Sequence, residues 1–436
     1  MRILVQKYGG TSVKNLTCMR QVLAKVQKTL TTGANNTKLI VVLSAMSGET
    51  DRLLNLAQDW SEQPDLAELD SMVSTGEQIS AALFSMLCKD AGIRARSLLS
   101  FQVPIYTNAN HGRARIEFID SVGLKKLFYN YDVLVIAGFQ GITTAGRITT
   151  LGRGGSDTSA VALAAILDAD RCEIYTDVDG VYTTDPTICS TARKLDRISY
   201  DEMLEMASMG AKVLQIRSVE FAKKYNVPVY VRSTFSDIPG TLVTKEDIHM
   251  ESAMVSGIAY DKNQARVTLR DVPDKPGIAA AIFSPLASAD ILVDMIIQNT
   301  SEGGLTDITF TVSRENLDRA IELLNGANKE IKAREISHDL NVTKVSIIGV
   351  GMRNHSGIAA IAFQALKNDN INIMMISTSE IKITCLIQER YAELAVRTLH
   401  EALGLDKTTP SGLATKSSSI TIKDTAPTGQ YVRWPV

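Results

Sequence analysis

Several short stretches of this chain carry residue types whose spacing suits chemistry on anions. The richest is Thr149-Thr-Leu-Gly-Arg-Gly-Gly-Ser-Asp-Thr-Ser-Ala160. It follows an apolar run, Asp132-Val-Leu-Val-Ile-Ala-Gly138, that reads as a buried strand. It precedes Ser156 to Leu167, which reads as a helix with Ser156 or Asp157 near its N-cap. Glycines, an arginine and a helix N-terminus thus meet at the end of a buried strand. Backbone N–H groups and the positive end of the helix dipole favour an anion there. The guanidinium of Arg153 adds a bidentate grip for a carboxylate or phosphate.

Other stretches extend that chemistry. Lys7 stands where a strand opens into Gly9-Gly10, so backbone can approach a phosphate beside a point charge. The loop is not a Walker A motif, and no GxGxxG follows the first strand. Glu77 lies in a helical, mostly apolar stretch, where a carboxylate could hold an ammonium group. Arg153 would then hold a carboxylate, and the two grips together specify an amino acid. Tyr175-Thr-Asp-Val-Asp-Gly-Val-Tyr-Thr-Thr-Asp-Pro186 places Asp177, Asp179 and Asp185 in a strand-end turn suited to orienting lysines, touching a nucleotide or helping to hold Mg²⁺. Gly210-Ala-Lys212 puts a lysine at a helix start, against the helix dipole, which suggests a phosphate neighbour. A phosphoryl transferase needs this set. Its transition state spreads negative charge over phosphate oxygens, and lysines, N–H groups and Mg²⁺ stabilise that charge.

Alternating elements must position these residues. Strands are expected at Arg2–Lys7, Lys38–Leu43, Arg96–Leu99, Asp132–Ala137, Glu173–Thr176 and Val227–Arg232. Helices are expected over about 13–30, after the turn Ser44-Ala-Met-Ser-Gly-Glu-Thr50, in one long stretch over about 66–91, and from Val213 to Tyr225. Such alternation over residues 1–245 predicts a doubly wound α/β sheet that binds ligands at the carboxyl ends of its strands. From about Met254 the texture changes. Asp274-Lys-Pro-Gly-Ile-Ala-Ala is answered by Asn354-His-Ser-Gly-Ile-Ala-Ala, and Ala289-Asp-Ile-Leu-Val-Asp-Met by Asn370-Ile-Asn-Ile-Met-Met. Two ferredoxin-like βαββαβ units are expected, over 254–335 and 342–404. Residues 405–436 are rich in Thr, Ser, Pro and Gly and read as mostly disordered, with a short strand at Ser419–Lys423.

Bulk composition excludes several classes. The 436 residues carry a net charge of -2, which leaves no footprint for nucleic acid or an anionic membrane. Cys18, Cys88, Cys172, Cys189 and Cys385 are scattered without CxxC spacing, against a disulfide framework or a zinc site and for a reducing compartment. The first residues open directly into a strand and no apolar run reaches membrane length, so a soluble cytoplasmic protein is expected.

Taken together, the motifs resemble the aspartate kinases of the amino acid kinase fold, with two C-terminal ACT domains. The resemblance rests on Lys7-Tyr-Gly-Gly-Thr-Ser12, Ser44-Ala-Met46, Thr75-Gly-Glu77, Gly138-Phe-Gln-Gly141, Thr150-Leu-Gly-Arg-Gly-Gly-Ser-Asp157, Tyr175 to Tyr182, Asp185-Pro186 and Gly210-Ala-Lys-Val213. Asp274-Lys-Pro-Gly277, Asp294 to Asn299 and Ile376-Ser-Thr-Ser-Glu380 carry it through the second half. It implies ATP-dependent phosphorylation of the L-aspartate side chain to 4-phospho-L-aspartate, with Mg²⁺, on the route to lysine, threonine and methionine. Lys7 and Lys212 would stabilise the transferring phosphoryl group, and Asp157 would orient them. Ser44, Thr50, Glu77, Arg153 and the Gly154-Gly155-Ser156 backbone would bind aspartate. Tyr8, Gly9, Gly10, Thr176, Asp177, Tyr182, Asp185 and Val213 would join the two lysines at ATP. Thr187 stands where many relatives have Arg, which removes one nucleotide contact.

The resemblance also implies feedback inhibition by lysine, threonine or both. Asp274, Gly277, Ala279, Leu292, Asp294 and Gln298 would form the first effector site; Ile358, Ala359, Asn372, Ile373 and Ser379 the second. ACT repeats commonly pair between chains, so a homodimer or larger is expected. An internal start at Met250 or Met254 could yield a separate regulatory subunit. Two other readings stay open: a kinase acting on glutamate, acetylglutamate or a nucleoside monophosphate, and a small-molecule sensor with an inert kinase half.

Overall fold

The computed structural model describes residues 1–33, 36–209, 213–246, 255–299, 303–354 and 357–407. Strand β1 (Arg2–Tyr8) leads into α1 (Leu16–Thr32), and β2 (Thr37–Leu43) into α2 (Glu49–Trp60), α3 (Leu66–Val73) and α4 (Thr75–Asp90). Next come β3 (Ala95–Leu98), β4 (Ile105–Thr107), β5 (Ile116–Ile119), α5 (Ser121–Leu127) and β6 (Val133–Ala137). β7 (Gln140–Ile142), β8 (Ile148–Thr150), α6 (Gly155–Ile166), β9 (Arg171–Thr176) and β10 (Arg197–Ser199) follow. α7 (Tyr200–Ser208), α8 (Ile216–Tyr225), β11 (Val229–Ser233) and β12 (Thr241–Thr244) complete this half.

Eight of these strands form one sheet in the order β10-β12-β11-β9-β1-β2-β6-β3. The pairs β9–β1, β1–β2 and β2–β6 are parallel. β2 is buried at every position, as a strand covered on both faces must be. Alternation along the strands divides the core. Ile3, Val5, Ile40 and Val42 pack with Val161 and Leu163 of α6 and Val219 of α8. Leu4, Leu39 and Val41 pack on the other face with Val22 and Val26 of α1 and Phe84 of α4. This is the doubly wound sheet. The short strands β5-β4-β7-β8 form a separate sheet that sequence pattern did not reveal.

Two expected helices change at their ends. The first begins at Leu16 because the Asn15 side chain accepts the Cys18 N–H at 2.9 Å and caps it there. The long stretch over 66–91 breaks at Ser74 into α3 and α4. The Ser74 carbonyl accepts Gln140 Nε2 at 3.1 Å, and a Cβ on Gly76 would lie 2.8 Å from Ala45 Cβ. The break lets Gly76 sit against the turn after β2.

The second half holds β13 (Gly257–Pro273), α9 (Ile278–Ser288), β14 (Val293–Gln298), β15 (Leu305–Val312), α10 (Leu317–Ile331), β16 (Glu335–Ile348), α11 (Ile358–Asn368), β17 (Ile373–Thr378), β18 (Lys382–Gln388) and α12 (Ala392–Ala402). Its strands form one six-stranded sheet in the order β14-β15-β13-β16-β18-β17. Two long strands serve both units. Residues 266–270 of β13 pair with 339–335 of β16, while Gly257–Asp261 pair with Ile348–Lys344. The second unit therefore takes its last strand from the start of β13, not from after α12. The expected strand at Ser419–Lys423 and the tail beyond 407 lie outside the described residues, as do Met250 and Met254. No described helix is long and apolar enough to cross a membrane.

Candidate active site

Neighbouring strands of the sheet deliver the expected residues to one edge. Lys7 lies at the carboxyl end of β1, Ser44 just after β2, Gly138 just after β6 and Thr176 at the end of β9. Two cavities open over these ends.

The first, about 540 Å³, is lined by Lys7 and Gly10 and by Ser44, Thr50 and Glu77. Arg153, Gly154, Gly155 and Ser156 complete its other wall. Every residue expected to hold the amino acid thus faces one space. Two helix N-termini point into it. α6 is capped by Gly154 at φ 71° and α2 by Gly48 at φ 82°, and no side chain caps either. The α6 cap was expected at Ser156 or Asp157. It falls at Gly154 because the chain turns through a left-handed residue there, and a Cβ at that position would come 1.6 Å from Gln215 Cγ. Leaving the cap side chain out keeps backbone N–H groups available to an anion. α6 is buried from Gly155 through Ala164, so small residues let its N-terminus reach this edge.

Lys7 Nζ lies 2.6 Å from Asp157 Oδ1, with side chains 10% and 9% exposed. The oxygen meets no donor at hydrogen-bonding angles, so the contact is an ion pair rather than a directed bond. Asp157 and Lys7 are thus paired by charge. Lys212, with Gly210 and Ala211, lies outside the described residues.

Glu77 is buried to 3% exposure. Its Oε1 accepts the Ala45 N–H at 3.1 Å, and Oε2 has no partner. Burial pushes its carboxyl from an ordinary 4.5 up to about 7, against the smaller opposite pull of the Ala45 N–H. An orphaned buried carboxylate oxygen beside a cavity is a place for a donor or cation. Arg153 is exposed at the mouth and has no ion-pair partner among the described residues.

The second cavity, about 460 Å³, is lined by Thr176, Asp177, Tyr182, Asp185 and Val213. Ile258, Ala259 and Tyr260 of β13 close one side, so the second half of the chain forms part of this wall. Tyr8 departs from expectation. Its ring is fully buried and stacks on Tyr175 at 4.6 Å, inside the core under α1, so only its backbone remains near the site. Gly9 donates its N–H to Tyr175 O at 3.2 Å, tying the two strand ends together. Thr187 donates its N–H and hydroxyl to Asp185 Oδ1 at 2.9 and 2.7 Å. It braces Asp185, where an arginine would reach outward.

Two positioning residues were not foreseen. Asp70 of α3 is 2% exposed and accepts from the Gly112 and Thr150 N–H groups, from the Thr150 hydroxyl and from His111 Nδ1. It anchors the start of the Arg153 loop. Arg217 of α8 donates to Leu151 O at 2.6 Å and Ala114 O at 3.0 Å and braces the same loop. An acidic residue inside the apolar run Leu66–Val73 was the available signal for Asp70.

In the second half, Gly277 caps α9 at φ 93°, with Asp274 just before it and Ala279 in its first turn. Leu292 is exposed beside an apolar hollow of about 300 Å³. Asp294 is paired with Lys344, so its carboxylate already has a cation. Gln298 ends β14. Ile358 and Ala359 open α11, Ile373 opens β17 with Asn372 exposed before it, and the Ser379 N–H donates to Lys382 O at 2.8 Å. The turn at 355–356 lies outside the described residues.

The amino acid kinase family matches residues 2–233, and the ACT domain matches 270–327 and 345–403. An aspartate kinase of Stutzerimonas stutzeri is 52% identical over 93% of this chain and 98% of its own. A Helicobacter pylori aspartokinase is 51% identical over 93% of this chain and 100% of its own. Among solved structures, E. coli aspartokinase III in complex with aspartate and ADP is 28% identical, with TM-score 0.76, over 92% of this chain and 100% of its own. The same enzyme with lysine and aspartate has TM-score 0.71 at 28% identity, over 92% of this chain and 99% of its own.

Proposed function

Since the chain belongs to the aspartate kinases of the amino acid kinase family, with ACT domains following the kinase domain, we propose the following course for its reaction. L-Aspartate binds in the larger cavity, its ammonium at Glu77 and its α-carboxylate at Arg153. ATP binds in the second cavity, along Thr176, Asp177, Tyr182 and Asp185. A side-chain carboxylate oxygen of aspartate attacks the γ-phosphorus, the bond to ADP breaks, and 4-phospho-L-aspartate forms. No protein nucleophile is needed.

Lys7 lines the larger cavity at the end of β1, and Thr176 at the end of the adjoining β9 lines the second, so the phosphoryl group would cross near Lys7. Its ammonium would stabilise charge on the equatorial oxygens, Asp157 would hold it in place, and Lys212 would share that task. Asp177 is exposed at the nucleotide cavity and fits a Mg²⁺ that takes one or two carboxylates and several phosphate oxygens. When bound, that ion supplies charge neutralisation. The observation that carries the reading is the meeting of Glu77 and Arg153 in one cavity that Lys7 also lines. Incubation with Mg-ATP and L-aspartate should yield a hydroxylamine-trappable acyl phosphate; its absence, or a preference for acetylglutamate or UMP, sinks the reading. An acetylated amino group carries no positive charge to pair with the Glu77 carboxylate.

Two variants probe the pocket. Arg153→Met removes a charge-assisted bidentate grip of about 1.5–3 kcal/mol, so KM for aspartate should rise roughly 10- to 100-fold with kcat much less affected. Steady-state kinetics with varied aspartate would check it. Gly154→Ala demands a left-handed alanine and a place for a Cβ against Gln215. The shifted loop should lower kcat/KM by about 10²-fold while the fold survives, read by kinetics beside circular dichroism.

The remaining proposals concern regulation and assembly. The E. coli enzyme's structure with lysine supports lysine as an effector, with the ACT units as its proposed place and threonine as the second candidate. The product would feed lysine, threonine and methionine synthesis. The edge strands β14 and β17 carry exposed Ile296 and Ile376 and suit pairing between chains, as a homodimer or larger. A separately translated regulatory subunit from Met250 or Met254 would appear as a co-purifying C-terminal fragment. Five free cysteines, all buried, suit a reducing cytoplasm.

A further inference from the structure

Helix α7 lies at the joint between the two halves, and one buried carboxylate fastens it. Glu202 is 2% exposed, and each of its oxygens is used twice. Oε2 accepts the Ser199 N–H at 3.0 Å and the Ser199 hydroxyl at 2.7 Å. These bonds close the capping box that starts the helix. Oε1 accepts the Ser256 hydroxyl at 2.5 Å and the Val350 N–H at 3.0 Å. The helix does not need this second pair. It ties α7 to the lead into β13 and to the turn between β16 and α11.

A second contact lies one turn further on, where Glu205 pairs with Lys382 Nζ at 2.7 Å. Lys382 opens β18, and its carbonyl accepts the Ser379 N–H. The turn at Val350 leads to Ile358 and Ala359. Two of the stretches expected to hold the second effector, Ser379 and the start of α11, thus lie next to or after residues bonded to α7. The same face of the helix, one turn on from Glu202, reaches the second cavity. Met206 lines that cavity with Val213, and the chain between them carries Lys212. The nucleotide loop itself is bonded to the same half, through Thr183 Oγ1 to His400 Nε2 at 2.9 Å and Ile258 N–H to Thr183 O at 2.7 Å.

We propose that Glu202 is a positioning residue: through its shared carboxylate the second ACT unit sets α7, and with it the wall of the second cavity that Met206 lines. This rests on the reading of the second cavity as the ATP site. An effector that rearranges the turn at Val350 changes what Oε1 holds, and α7 responds as a rigid rod. Removing the shared bonds should leave effector binding intact and cut its consequence.

The test uses the full chain. Glu202→Gln keeps the shape but cannot accept at both ends, and Ser256→Ala cuts only the regulatory side. Initial rates are measured with lysine, threonine and both, and effector binding by calorimetry. In Glu202→Gln the half-inhibiting concentration should rise at least about tenfold, within the usual range of coupling, with the effector Kd unchanged. Ser256→Ala should move the same way by less. Inhibition of both variants at wild-type concentrations overturns the proposal.

Hydrogen exchange and the KM for Mg-ATP decide the case if no amino acid inhibits the wild type, an outcome that removes the regulatory reading alone. Faster exchange confined to α7, with a raised KM for Mg-ATP and an unchanged KM for aspartate, supports the clamp. Unchanged exchange, or a uniform rise that includes β1 and β2, overturns it. Failure to form any acyl phosphate in the wild type would sink the ATP-site reading instead, and exchange at α7 would still judge the clamp.

Discussion

Replacing Lys7 by methionine should lower kcat by about 10²–10³, the usual loss when one preorganised charge stabiliser leaves a transition state. The effect should fall on kcat more than on KM, because the ammonium acts on charge that grows during transfer. Stability complicates the measurement. Lys7 and Asp157 are almost fully buried, and removing one partner strands the other charge. That costs about 3–5 kcal/mol in buried pairs. Activity alone is therefore not a fair comparison of Lys7→Met with wild type. The double variant Lys7→Met with Asp157→Asn strands no charge and should recover most of the thermal stability. It should not recover turnover. Denaturation midpoints with single-turnover rates on the two singles and the double check both halves. A double variant that regained activity would show the ammonium to be a folding group and would remove Lys7 from the mechanism.

The fold of the kinase half was legible because its strands end in short small-residue motifs. β1, β2, β6 and β9 each carry a buried apolar run closed by small residues, and the sheet then has one edge on which Lys7, Ser44, Gly138 and Thr176 can meet. The small sheet β4-β5-β7-β8 was not legible, because strands of three or four residues leave no periodicity to read. Asp70 and Arg217 were missed for another reason. Their partners are backbone groups far along the chain, at 112, 150, 151 and 114, and no local spacing announces such bonds. Tyr8 could offer ATP only its backbone. It follows Lys7 in sequence, but strand alternation turns its ring to the opposite face. The repeat in the second half was visible, yet its strand exchange was not. Which stretch of β13 completes which unit depends on register between distant strands.

Glu77 gives the largest expected effect that depends on pH. Its carboxyl titrates near 7 in the free protein because burial disfavours the charged form. Below that value the group is neutral and cannot hold an ammonium by charge. The profile of kcat/KM for aspartate should therefore show an acid limb near pH 7, since that ratio reports groups of the free enzyme. Bound aspartate favours the ionised form, so the limb in kcat should lie lower. Glu77→Gln should lose the limb and drop kcat/KM at pH 8 by about 10²-fold, equivalent to a charge-assisted bond of about 3 kcal/mol. Persistence of the same limb in Glu77→Gln would assign it to another group. Linkage supplies an independent check. The folded pKa lies above the unfolded one, so the folded state binds the proton more tightly between 4.5 and about 7. Stability falls as pH rises through that window and stays lower above it, by on the order of 3 kcal/mol. Glu77→Gln removes that penalty and should melt higher than wild type at pH 8, with the difference shrinking towards pH 4.5. Saturating aspartate should narrow the gap at pH 8, because its ammonium compensates the buried carboxylate only in the wild type.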